Sequence, residues 1–137
     1  MNIRIMQMSD FQSAYALWQK TGISLVMLEK EKIELETILT HNPSSCFVAV
    51  ENKQVIGTIL GTFNGRRAWI YHVAVHPKCQ NRGYGSALLQ HTETMLQVKN
   101  ATKILLAVGI SNLKTVPFYE KNGYHVINDA VLMAKDI

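Results

Sequence analysis

The sequence predicts one α/β (α+β) domain with a mixed, mainly antiparallel central sheet flanked by helices, in the order β-α-α-β-β-β-α-β-α-β-β. Three observations carry this expectation. Short strand-like runs are joined by a polar turn at Asn52-Lys53 and by Asn64-Gly65, a strong hairpin signal. Longer stretches at about 10–20, 28–39 and 84–98 repeat their apolar residues at helical spacing. The run KILLAV, 103–108, is almost continuously apolar, as expected of a buried strand joined to its neighbour by a helical crossover.

Taken in order, NIRIM (2–6) alternates like a half-buried strand, and Ser9 with Gln12 offers a capping box in front of FQSAYALWQK. Gly22 follows that helix. LEKEKIELETIL (28–39) is a second amphipathic helix, and Pro43 stops its continuation. SCFVAVE, QVIGTILGTF and RAWIYHVAV then read as three antiparallel strands linked by the two turns. A helix over about 84–98 and the strand at 103–108 come next. A short last helix ends at Asn122-Gly123, and YHVIN with AVLMAKDI reads as a closing hairpin around Asp129.

The 137 residues fit one domain, 1–137, with no repeat, low-complexity tract or linker inside it. No apolar run reaches the roughly 18 residues of a spanning helix, and the first residues lack the apolar core of a signal peptide. The expected compartment is the cytoplasm, without a membrane partner. Cys46 and Cys79 stand far apart in different contexts and form no redox pair, so reduced thiols are expected. A net charge of +4 favours anionic partners, but the basic residues are scattered and make no stripe for nucleic acid.

The stretch HPKCQNRGYGSALLQ (76–90) places Gly83 and Gly85 between a strand and a helix. A helix start exposes four N–H groups without intrahelical partners and about half a positive charge. The glycines let a phosphate approach the backbone, and Lys78 and Arg82 can add countercharge. The first acidic residue after the loop is Glu93, so nothing nearby in the sequence neutralises that helix start. A Walker loop requires Gly-Lys-Ser or Gly-Lys-Thr, which is absent, and a dinucleotide fingerprint requires a small residue where Leu88 stands.

The segment VAVHPKCQNRGYGSALL resembles the GNAT superfamily of acyl-CoA-dependent N-acetyltransferases, and a second stretch, SNLKTVPFYEKNGY, resembles that family's later motif. Both occur in the family's order, and the resemblance covers about the whole chain. It implies that the loop Gln80, Asn81, Arg82, Gly83, Tyr84, Gly85 and Ser86 holds the pyrophosphate of acetyl-CoA. It also implies that the backbone of Val73, Ala74 and Val75, at a strand bulge, pairs with the pantetheine arm and the acetyl carbonyl. Asn112 is a further cofactor contact by the same resemblance. Pro117, however, suits a helix starting near itself, which would put Asn112 in the preceding loop. Cys79 stands where the family often has an aromatic or aliphatic residue.

The implied reaction is direct attack, in a ternary complex, of a primary amine of a small molecule or peptide on the acetyl group. A backbone N–H at the bulge can donate to the developing oxyanion. Tyr119 resembles the family's general acid, a phenol protonated at neutral pH. For the base, His72 and, through water, Tyr71 are candidates. Period-two alternation puts these neighbours on opposite faces, so no more than one of them is expected to line the acceptor cleft. A zinc site from His72, His76 and Cys79 would compete with the cofactor loop, and no metal is expected. Trp18 and Trp69 read as packing, although Trp69 lies near enough to the bulge to touch an acceptor. In the family the first helices and their loop, here about 20–32, set the acceptor. Glu29 and Glu31 could meet a cation there, and a solvated helix face explains them equally well. Relatives often dimerise through the sheet, which leaves a homodimer open. A regulatory module that binds acyl-CoA without turnover is the alternative function.

Overall fold

A computed structural model describes residues 2–137. The chain divides into two compact units, one ending at Ala107 and the other spanning Val108–Ile137. The first holds a five-stranded sheet in the order β1-β2-β3-β4-β5. Its strands are β1 (Asn2–Ile5), β2 (Cys46–Glu51), β3 (Gln54–Phe63), β4 (Ala68–Val75) and β5 (Ile104–Leu106). Pairing is antiparallel from β1 to β4 and parallel between β4 and β5, so the sheet is mixed and mainly antiparallel, as the sequence predicts. Helices α1 (Phe11–Lys20), α2 (Leu28–His41) and α3 (Tyr84–Val98) belong to the same unit.

Local chemistry accounts for the connections. Asn52 and Lys53 both take positive φ, 51° and 64°, the two left-handed residues that a tight two-residue hairpin turn needs. At the next turn the Asn64 side chain accepts from the backbone N–H groups of Arg66 and Arg67, and Gly65 supplies φ 92°. The capping box expected of Ser9 and Gln12 is replaced by one two residues earlier, formed by Gln7 and Asp10. A 3₁₀ turn, Met8–Asp10, precedes α1, and Asp10 accepts from the Gln7 N–H at 2.9 Å while pairing with Arg4 at 2.8 Å. A carboxylate that can also bind an arginine is the stronger acceptor, and it wins the position.

Alternation along β3 sends Thr58 and Leu60 to one face of the sheet and Gly57, Ile59 and Gly61 to the other. On the first face Trp18 of α1 and Leu35 of α2 pack with Val48, Leu60 and Ala74 in one apolar cluster. On the second face α3 lies close. A Cβ at Gly57 would come within 2.9 Å of Leu88 Cδ1, and one at Gly61 within 2.4 Å of Thr92 Cγ2. Glycine at these positions is what lets the helix approach the sheet.

In the second unit a 3₁₀ stretch, Ile110–Thr115, leads into α4 (Val116–Lys121), with Pro117 in the first turn and Gly123 at φ 92° after the end. The expected closing hairpin is absent, and residues 125–137 form no strand. Strand pattern alone does not make a strand, because a hairpin isolated from a sheet is marginal. Here Val131, Leu132 and Met133 are three apolar residues in succession, exposed at 86%, 73% and 89%, so the segment buries no apolar face.

Candidate active site

Strand β4 is interrupted where the functional residues begin. Leu60 pairs with Tyr71 and Thr58 with Ala74, so a single residue of β3, Ile59, faces both His72 and Val73. This is a β-bulge, and His72 takes the left-handed φ of 50° that accompanies it. The extra residue shifts the alternation, so that Tyr71 and Ala74 lie on one face of the sheet. Beyond the bulge the His76 N–H donates to Ile56 O at 2.7 Å. Counting back from it, Ala74 also turns its backbone to β3, while Val73 and Val75 turn theirs to the opposite edge. Strand β5 covers that edge only along Ala68–Ile70. Val73 therefore presents an N–H to an edge that no strand among the described residues pairs, and the Val75 carbonyl there accepts from Gln80 Nε2 at 3.1 Å.

The edge leads directly into the glycine loop. Asn81 and Gly83 both have positive φ, 64° and 86°, and a Cβ on Gly83 would meet nothing within 4 Å. Gly83 is the N-cap of α3, which has no side-chain cap and no acidic residue in its first turn. Its leading amides, those of Tyr84, Gly85 and Ser86, have no intrahelical acceptor and aim outward together. These features fit an anionic group such as a diphosphate. Arg82, expected to supply countercharge, is instead paired with Glu51 at 3.1 Å and lies over the Tyr84 ring. The Tyr84 hydroxyl also donates to Glu51. That hydrogen bond, with the charge of Arg82, holds the Glu51 carboxyl below the usual carboxylate range. The carboxylate at this end of α3 thus comes from β2, far away in sequence.

Beside the bulge, on the face of α1 and α2, lies a pocket of about 500 Å³ whose lining includes Trp18, Glu31, Ile33, Glu34, Tyr71 and His72. Both Tyr71 and His72 line it, contrary to the expectation that alternation would separate them, because the bulge falls between β4's two registers. His72 is held from several sides. Its Nε2 lies 3.0 Å from Glu31 Oε1, its carbonyl accepts from Thr58 Oγ1 at 2.8 Å, and its ring meets the Trp18 ring edge-on at 4.5 Å. Trp18 Nε1 donates to the same Thr58 hydroxyl at 2.8 Å. Glu31 is buried, and Glu29, its neighbour on α2, is exposed.

Residues 8–124 match the Acetyltransferase (GNAT) family profile. The chain belongs to the GNAT family. It is an N-acetyltransferase, and the family to which it belongs uses acetyl-CoA. An acetyltransferase of Pectobacterium atrosepticum is 30% identical over 135 residues, covering 98% of this chain and 94% of that protein. An acetyltransferase of Photorhabdus laumondii is 33% identical over 124 residues, covering 90% and 86%. Among solved structures, Ard1 of Thermoplasma volcanium superposes with a TM-score of 0.82 at 23% identity, covering 93% of this chain and 84% of that one. An acetyltransferase of Clostridium acetobutylicum, solved with acetyl-CoA, superposes at 0.75 and 18% identity, covering 97% and 95%. No helix among the described residues of this acetyltransferase is long and apolar enough to cross a membrane.

The structure brings His72, Val73 and Val75 together with Gln80–Ser86 along one edge of the first unit, and Ala74 stands among them with its backbone on β3. Lys78 is exposed, and its backbone N–H donates to His76 Nδ1 at 3.1 Å. Asn112 and Tyr119 belong to the C-terminal unit. Asn112 lies in the 3₁₀ stretch before α4 with φ −127°, as Pro117 predicts, and its carbonyl accepts from Thr115 Oγ1. The Tyr119 ring packs edge-on against Phe118 and Tyr124, and burial pushes its phenol up to about 12. Sequence reading missed the partnership of Glu31 with His72 and that of Glu51 with Arg82 and Tyr84. The first left a trace: Glu31 precedes the buried Leu35 by four residues and so shares its helix face.

Proposed function

We propose that this acetyltransferase transfers the acetyl group of acetyl-CoA to a primary amine of a small molecule or peptide, by direct attack in a ternary complex in the cytoplasm. The observation that carries the reading is the unpaired β4 edge at the bulge, running straight into the uncapped start of α3. Gln80–Ser86 would hold the pyrophosphate with backbone amides. The Val73 and Val75 edge would pair with the pantetheine arm, and Asn112 would add a contact. Acetyl-CoA, when bound, supplies an activated thioester. The N–H of Val73 is then placed to donate to an oxyanion. His72 takes the proton from the acceptor ammonium, and Tyr119, protonated at neutral pH, donates to the leaving thiolate. The pocket walls suit an amine on an apolar stem, with Glu31 and Glu34 supplying the negative charge that draws a cation.

Thermal shift with acetyl-CoA, followed by release of free CoA thiol across a panel of amines, tests this. Stabilisation by acetyl-CoA and thiol release that depends on an amine are the expected results, whereas binding without release across the panel removes the enzymatic reading for this site. Gly83→Asp puts a carboxylate where the phosphate would lie, at a left-handed position that Asp tolerates. It is expected to weaken acetyl-CoA binding at least about tenfold, the equivalent of one charge-assisted hydrogen bond, with the fold intact. Unchanged affinity would take the loop out of the site.

A further inference from the structure

We infer that Glu31 is a positioning residue for His72: its carboxylate fixes the imidazole as the Nε2–H tautomer and so keeps the basic lone pair on Nδ1. The inference rests on the proposed role of His72 as base. A carboxylate only accepts hydrogen bonds, so the 3.0 Å contact requires Nε2 to donate. The other oxygen of Glu31 is committed as well, accepting from the Val26 N–H at 2.9 Å. Two donors thus meet two oxygens in a residue that is only 5% exposed. The arrangement is more than a cap for the turn before α2, which Oε2 alone would provide. Thr58 on the His72 carbonyl and Trp18 against its ring restrict the rest of the residue. Neutral imidazole has one donor and one acceptor nitrogen, so fixing one fixes the other.

Glu31→Gln is isosteric and separates the two oxygens. The Val26 N–H is a backbone donor and cannot change, so the amide oxygen must stay on it. The amide NH₂ then faces His72 Nε2, which can accept only if the proton moves to Nδ1. The variant is therefore expected to invert the tautomer and to put the only lone pair where the amide occupies it. The analogous orienting carboxylate of serine proteases acts by the same logic.

Nitrogen-15 NMR of histidine-labelled protein at about pH 8.5, where an ordinary imidazole is neutral, reads this directly. The His72 signals are identified by their loss in His72→Asn. Wild type is expected to show Nε2–H, and Glu31→Gln to show Nδ1–H. With acetyl-CoA and 4-phenylbutylamine as probe acceptor, Glu31→Gln is expected to lower kcat roughly 10²-fold without changing KM for acetyl-CoA. Should circular dichroism show that Glu31→Gln misfolds, Glu31→Ala, which frees Nε2, is expected to give both tautomers. An unchanged tautomer, or a wild-type kcat with an inverted one in a protein whose turnover His72→Asn does impair, overturns the inference. If His72→Asn keeps full turnover while the tautomer inverts, it is the base reading that falls, and the two failures stay distinct.

Discussion

His72 holds a left-handed backbone that costs a non-glycine residue on the order of 1 kcal/mol or more, and its neighbours on three elements offset that cost. Thr58 binds its carbonyl, Trp18 its ring and Glu31 its Nε2. Tyr119 is the complementary case, a residue defined by what burial does to its proton. Its phenol is pushed up to about 12, so the neutral, donating form persists far above neutral pH. The sign is unambiguous: raising a phenol's pKa extends the range in which it can act as an acid. Turnover is therefore expected to show no alkaline fall from this group below about pH 10. Tyr119→Phe is expected to lower kcat roughly 10²-fold while acetyl-CoA affinity stays near wild type, measured by steady-state thiol release beside calorimetric binding. A wild-type rate would leave Tyr119 as packing between Phe118 and Tyr124. Tyr119 could be proposed from sequence because a motif surrounds it. The surroundings of His72 could not, because strict alternation describes a strand without a bulge and places Tyr71 and His72 apart.

At the scale of elements, the functional edge depends on how α3 is seated, since its first turn is the proposed phosphate cradle. The helix approaches β3 through two glycines. At Gly61 an added Cβ would stand 2.6 Å from the Ser45 carbonyl oxygen, a backbone atom that cannot swing aside, besides the 2.4 Å contact with Thr92. Gly61→Ala is expected to cost about 1–3 kcal/mol by overpacking, read as a lower urea midpoint at unchanged slope. A midpoint equal to wild type would mean that α3 lifts off the sheet freely. The helix itself was legible at about 84–98, where the structure has Tyr84–Val98, because a glycine before it and a clear 3.6-residue period mark it. The hairpins at Asn52-Lys53 and Asn64-Gly65 were legible for the same reason, a local conformational demand met by a local residue. Other features depend on what lies across space. Strand β5 pairs over only three residues of the six-residue apolar run, and YHVIN with AVLMAKDI finds no pairing at all.

Over the whole molecule the net charge of +4 favours an anionic cofactor, but the distribution decides how the charge acts. The cationic side chain nearest the cradle in sequence, Arg82, is already paired with Glu51, and the first turn of α3 offers uncharged amides. Recognition by amides alone depends weakly on ionic strength, whereas an exposed guanidinium on a phosphate is screened within about 10 Å at 0.1 M salt. Glu51→Gln removes the charge that holds Arg82 and leaves it available to the pyrophosphate. Affinity for CoA is then expected to rise a few-fold at low salt, no more, since exposed ion pairs are weak, and the gain is expected to vanish near 0.5 M salt. Isothermal titration of CoA into wild type and variant at two salt concentrations measures both effects. Weaker binding at both concentrations would assign Glu51 the opposite role: through Tyr84 and Arg82 it would be fastening the start of α3 in the conformation that binds.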